Sequence, residues 1–88
     1  MMISQKEEVY TTVHDQEVVL LDMNQGKYFG LEGAAMALWN ELSQGPVTTS
    51  AILEKWKTIY DQEEDELNSL LTQSLEELTA KRLVVVDT

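Results

Sequence analysis

Between Val9 and Leu31 the apolar positions follow the alternation of an extended chain, and beyond Leu31 they recur every three or four residues, as on one face of a helix. The first half therefore predicts strands and the second half helices. Val9 to Val13 (VYTTV) is β-branched and aromatic and predicts a first strand, ended by the polar turn His14-Asp15-Gln16. The second strand spans Glu17 to Asp22, with Val18 and Leu20 on one face and Val19 and Leu21 on the other. Both faces are apolar, so the second must meet something. Asp22 to Gly26 forms the next turn, with Gly26 suited to the positive φ that closes a bulged hairpin. The third strand, Lys27 to Gly30, directs Tyr28 and Gly30 one way and Phe29 and Leu31 the other. In the order one-two-three it lies at an edge, with outward N–H and C=O groups free to pair. Met1 to Glu8 carries no clear period and is expected to fray.

Three helices follow. The first is expected from about Glu32 to Ser43, with Leu31, Ala35, Leu38 and Leu42 as its stripe, widened by Ala34 and a core Trp39. Glu32 would complement the helix dipole from the first turn, and Gln44-Gly45-Pro46 is a strong terminator. Thr48 or Thr49 caps a second helix reaching about Tyr60, with Ile52, Leu53, Trp56, Ile59 and Tyr60 on its apolar face. Asp61 and Glu64 have the spacing of a capping box for a third helix, Gln62 to Lys81, whose stripe is Leu67, Leu70, Leu71, Leu75 and Leu78 with Ser74 inserted. Lys81 and Arg82 close it with the favourable sign, and Leu83 to Val86 is an extended segment that needs burial.

The 88 residues make one domain, with the ordered core expected at about 9–86. Absence of cysteine removes disulfides, thiolate chemistry and cysteine-based metal sites. No signal-like start or bilayer-length apolar run is present, which predicts a cytoplasmic protein. The formal charge of −10 repels nucleic acid and anionic membranes and favours basic partners. No phosphate loop, HExxH motif, nucleophile elbow or zinc-ligand spacing occurs, and the single histidine, His14, belongs to a solvent-facing turn. Binding without catalysis or cofactor is the expectation. Three helices followed by a β-segment also describe a winged helix-turn-helix, but its reading helix would open with DQEEDEL, carboxylates where phosphates would lie.

The run Leu21-Asp22, Gly26, Tyr28-Phe29 and Leu31, followed by Leu38-Trp39, resembles the signature of the PqqD family, and the likeness extends from about Val9 to Val86. The resemblance implies an α+β, winged helix-turn-helix-like fold: a three-stranded antiparallel sheet followed by three helices and a short C-terminal extended segment. It implies a recognition element for the leader peptides of ribosomally synthesised, post-translationally modified peptides. The leader would add as an antiparallel strand to the third strand, in the groove beside the third helix. Carried onto this chain, the peptide-binding residues are Lys27, Tyr28, Phe29 and Gly30 on the strand, and Leu67, Leu71, Ser74, Leu75 and Leu78 on the helix. One of Tyr28 and Phe29 faces the groove, and strand periodicity leaves open which. Asp22 is expected to fix the turn.

A freestanding chain of this size is most similar to the B1 proteins of lasso-peptide biosynthesis, which implies as partners a precursor leader and a separate leader peptidase of the transglutaminase-like cysteine protease type. The alternatives are a PqqD-type chaperone working with a radical-SAM enzyme, or a general protein-interaction domain.

Overall fold

The computed structural model describes residues 2–87. Its first strand, β1 (Met2–Gln5), lies in the lead-in expected to fray. Ile3 is fully buried there, but a single buried residue after an exposed Met2 and before polar Ser4 and Gln5 makes no readable period. What orders β1 is pairing with chain far away in sequence: β5 (Val47–Thr48) on one side and β6 (Val84–Asp87) on the other, both antiparallel. The C-terminal valines thus find their partner in the N-terminus, and a second small sheet of order β5-β1-β6 results.

The main sheet follows the sequence pattern. Strands β2 (Val9–Val13), β3 (Val18–Asp22) and β4 (Lys27–Leu31) form an antiparallel meander in that order. Val18 and Leu20 of β3 and Leu31 of β4 are buried on the face toward the helices, as the alternation requires.

Helix α1 (Gly33–Glu41) is shorter than expected; Leu42–Gln44 tightens into a 3-10 turn, and Gly45 leaves it at φ 122°. Glu32 stands at the N-cap, outside the first turn where it was expected. Helix α2 (Thr49–Ile59) is capped by Thr48, whose hydroxyl accepts from the Ala51 N–H at 3.1 Å. Ile59, expected on its apolar face, is 59% exposed, while Tyr60 turns edge-on to Trp56 with ring centroids 5.6 Å apart. Helix α3 (Glu64–Ala80) starts later than expected and the Asp61–Glu64 capping box does not form. Glu64 is instead paired with Lys57 of α2 at 3.1 Å, so the carboxylate that would reach back to Asp61 is committed across the helix junction. Lys81 is the C-cap, and Arg82 turns the chain away at φ 58°.

One core joins both sheets to all three helices. Trp39 and Trp56 are its largest members, with Ile3 from β1, Leu20 and Leu31 from the meander, Leu38 and Leu42 after it, and Leu71, Leu78 and Leu83 around α3. Each such side chain contributes about 1.5–3 kcal/mol relative to exposure. The Trp39 indole N–H, which burial would otherwise strand, donates to the Thr11 hydroxyl on β2 at 3.1 Å.

Candidate functional site

The β3–β4 hairpin is anchored at its turn by Asp22, whose carboxylate is fully buried. Its Oδ1 accepts from the backbone N–H groups of Asn24 at 2.9 Å and Gln25 at 3.1 Å. Its Oδ2 accepts from Gln25 Nε2 at 2.6 Å and from Lys6 Nζ at 3.0 Å. The Gln25 amide also donates to the Lys81 carbonyl at 3.2 Å, tying the turn to the end of α3. The Gln25 side-chain hydrogen bond leads in holding the Asp22 pKa down to about 2, with Lys6 and the Gln25 backbone adding to it against the opposing cost of burial. Asp22 fixes the turn, as expected; the partners Lys6 and Gln25 carried no sequence signal of that role. Gly26 adopts φ 65°, and its N–H donates to the Asp22 carbonyl at 2.8 Å.

The backbone parity of the meander decides what β4 presents at its outer edge. The His14 N–H donates to the Glu17 carbonyl at 2.8 Å, and the Met23 N–H to the Glu8 carbonyl at 3.0 Å. In an antiparallel ladder hydrogen-bonded pairs alternate, so Val19 and Leu21 also point their backbone groups toward β2, and Val18, Leu20 and Asp22 point theirs toward β4. Their partners Leu31, Phe29 and Lys27 are thereby engaged. The outward N–H and C=O groups belong to Tyr28 and Gly30. Strand β4 is the last in its sheet, so among the described residues no strand pairs with them.

Side-chain parity separates the two aromatics. Phe29 is paired with buried Leu20 and packs, half-buried, against the core on the helical side. Tyr28 is paired with Leu21 on the opposite face and is 72% exposed. Tyr10 pairs with Leu21 from the other side and is 63% exposed, so Tyr10, Leu21 and Tyr28 form a cross-strand row over which nothing closes among the described residues. That row is where the second apolar face of β3 ends up.

The expected helical residues divide. Leu67, Leu71, Ser74 and Leu78 are buried beneath α3, and the Ser74 hydroxyl is bonded to the Leu70 carbonyl at 2.8 Å. Leu75 is half-buried and packs against the same core as Phe29. Shallow depressions along α3 are lined by polar residues such as Gln62, Glu66, Ser69 and Gln73, with Leu70 among them. No group of three or more metal-ligating side chains occurs among the described residues.

A family profile described as "Coenzyme PQQ synthesis protein D (PqqD)" matches residues 17–84, well over half of the chain. The chain belongs to the PqqD family. As a PqqD-family domain it is a non-catalytic adaptor module. Among solved structures it is similar to "TbiB1 in Complex with the TbiA(beta) Leader Peptide", with a TM-score of 0.83 and 26% identity, covering 97% of this chain and 98% of that one. No curated protein sequence matches the chain. The PqqD-family profile includes Asp22, Gly26 and the whole of β4, the stretch in which the turn anchor and the unpaired edge meet.

Proposed function

We propose that this PqqD-family domain binds the leader segment of a ribosomally synthesised precursor peptide as an antiparallel strand added to β4, and presents the precursor to a separate leader peptidase of the transglutaminase-like cysteine protease type in a lasso-peptide pathway. The observation that carries the reading is the unpaired edge at Tyr28 and Gly30, in a chain whose fold matches, over 97% of its length, that of a protein solved with a leader peptide. Backbone pairing supplies register-tolerant attraction of about 0.5–1.5 kcal/mol net per bond, and apolar anchors on the helical side select the sequence. In that arrangement Phe29 and Leu75 line the groove. Leu67, Leu71, Ser74 and Leu78 support its wall from beneath, and Lys27 marks the turn end of the strand. Delivery to a folded peptidase requires a surface that the leader leaves free, and the row Tyr10, Leu21 and Tyr28 supplies an apolar one.

The test is an NMR titration of the isotope-labelled chain with the TbiA(beta) leader peptide and with the leader of any precursor found encoded beside this chain's gene. Amide shifts are expected across Lys27–Leu31 and along α3. A titration that moves neither region discards the site.

A further inference from the structure

Gly30 lies on the exposed face of the main sheet, paired with Val19, and it shares that face with Glu17, two residues before Val19. A Cβ built on Gly30 would stand 2.8 Å from Glu17 Oε2 and 3.5 Å from Glu17 Cδ. The carboxylate of the residue just before β3 thus lies over Gly30, the one position of β4 where no side chain obstructs it. Gly30 belongs to the edge strand and is one of the two residues whose backbone groups point outward.

Among the described residues no cationic side chain pairs with it. Four of the six cationic side chains are committed elsewhere: Lys6 to Asp22, Lys55 to Glu41, Lys57 to Glu54 and Glu64, and Lys81 to Glu77. Lys27 sits at the far end of β4 with its side chain on the other parity, and Arg82 follows α3. His14, whose N–H donates to the Glu17 carbonyl, stands opposite Glu17 in register, and its imidazole makes no ion pair among the described residues.

We infer that Glu17 and Gly30 form a charge-reading subsite, selecting a lysine or arginine side chain at the position of an added strand that pairs with Gly30. The inference rests on strand addition to β4. An antiparallel strand there would place a residue opposite Gly30 in a hydrogen-bonded pair, about 5.5 Å away between Cα atoms, with its side chain on the Glu17 face. With no Cβ on Gly30 between them, a cationic head reaches the carboxylate directly. An aspartate or glutamate there would meet like charge without a screening side chain. The net charge of −10 draws cationic peptides toward the whole molecule, whereas Glu17 chooses the register in which they settle.

The test starts from a display library of random peptides of about twenty residues, panned on the full chain. Binders that shift the Tyr28 and Gly30 amides are kept, and cross-strand NMR contacts identify the residue opposite Gly30. Lysine or arginine is expected at that position. Replacing it by glutamine, or making Glu17→Gln, should weaken binding roughly two- to fivefold, and making both changes should cost little more than either alone. Glu76→Gln, which removes the same charge from an exposed site on α3, should leave affinity unchanged. Panning on Glu17→Lys should turn the selected residue to aspartate or glutamate. The subsite is overturned if edge-bound peptides show no charge preference opposite Gly30, or if Glu17→Gln and Glu76→Gln weaken binding equally. If no selected peptide moves the Tyr28 and Gly30 amides, strand addition fails, and the subsite fails with it.

Discussion

Two carboxylates bracket strand β3, and they have opposite fates. Asp22, at its end, is buried, accepts four hydrogen bonds and draws the lead-in, the turn and the end of α3 to one point. Glu17, just before its start, is exposed and lies over a glycine with no cationic partner among the described residues. A carboxylate with all its acceptor sites filled from within belongs to the fold, because burying it is tolerable only under those conditions. One that is exposed and unpaired over the edge strand has its acceptor sites open to solvent and to an incoming group. The hairpin is closed at one end and open at the other, and the open end is the one that leads along β4 into α1.

The sharpest way to break this contrast is to remove both carboxylates in turn. Asp22→Ala leaves the Lys6 ammonium and two turn N–H groups without their acceptor, and the thermal midpoint should fall by roughly 10 °C or more. Glu17→Ala should stay within about 2 °C of the parent, since it removes no internal bond. Equal losses in calorimetry would erase the distinction.

Acid should expose the same difference. The folded-state pKa of Asp22 lies at about 2, below the ordinary value of 3.8, so its contribution is complete above about pH 4 and is lost as pH falls through about 2. The gap in urea midpoint between the parent and Asp22→Asn should therefore be widest near neutrality and close between about pH 4 and pH 2. A gap that stays constant over that window would separate Asp22 from the acid response.

Parity along β4 gives the next test. Tyr28→Pro removes an outward N–H and spares the ladder to β3, so the chain should keep its circular dichroism while leader affinity falls roughly tenfold; Tyr28→Ala controls for the lost ring. Phe29→Pro removes a ladder bond and should unfold the hairpin. Identical behaviour of the two proline variants would refute the assignment of edge groups.

The smallest effect compares the two glycines of the hairpin. Gly26→Ala forces a side chain into φ 65° and should destabilise by about 1 kcal/mol. Gly30→Ala has no such backbone demand and meets only the movable end of Glu17, so its cost in urea unfolding should be a few tenths of that, with peptide selectivity opposite position 30 the more sensitive readout.

Much of this hairpin was legible in the residues. Alternation placed β2, β3 and β4 within a residue or so of their bounds, and the spacing Leu21-Asp22, Gly26, Tyr28-Phe29, Leu31 carried both the turn and the family resemblance. The helical stripes located α1, α2 and α3, and Thr48 marked the first turn of α2, but the starts of α1 and α3 were not legible, because capping depends on which partner a side chain finds first. Glu64 had the spacing to bond backward and found Lys57 instead. The order of the lead-in was not legible, because Ile3 and Gln5 acquire a structural meaning only from Val86 and Val84 at the other end of the chain.

The sequence by itself determined the order of strands and helices, the turn at Asp22 and Gly26, the absence of cysteine chemistry and the acidic charge, since each is written in neighbouring residues or in composition. Tertiary structure decided that Phe29 turns inward and Tyr28 outward, that Leu67, Leu71, Ser74 and Leu78 lie beneath α3, and that Tyr28 and Gly30 hold the free edge groups. A period of two divides side chains into two faces without saying which is buried; the helices made that choice by packing on the Val18, Leu20 and Leu31 face, and the register of β4 on β3 then put Phe29 on that face and Tyr28 on the other.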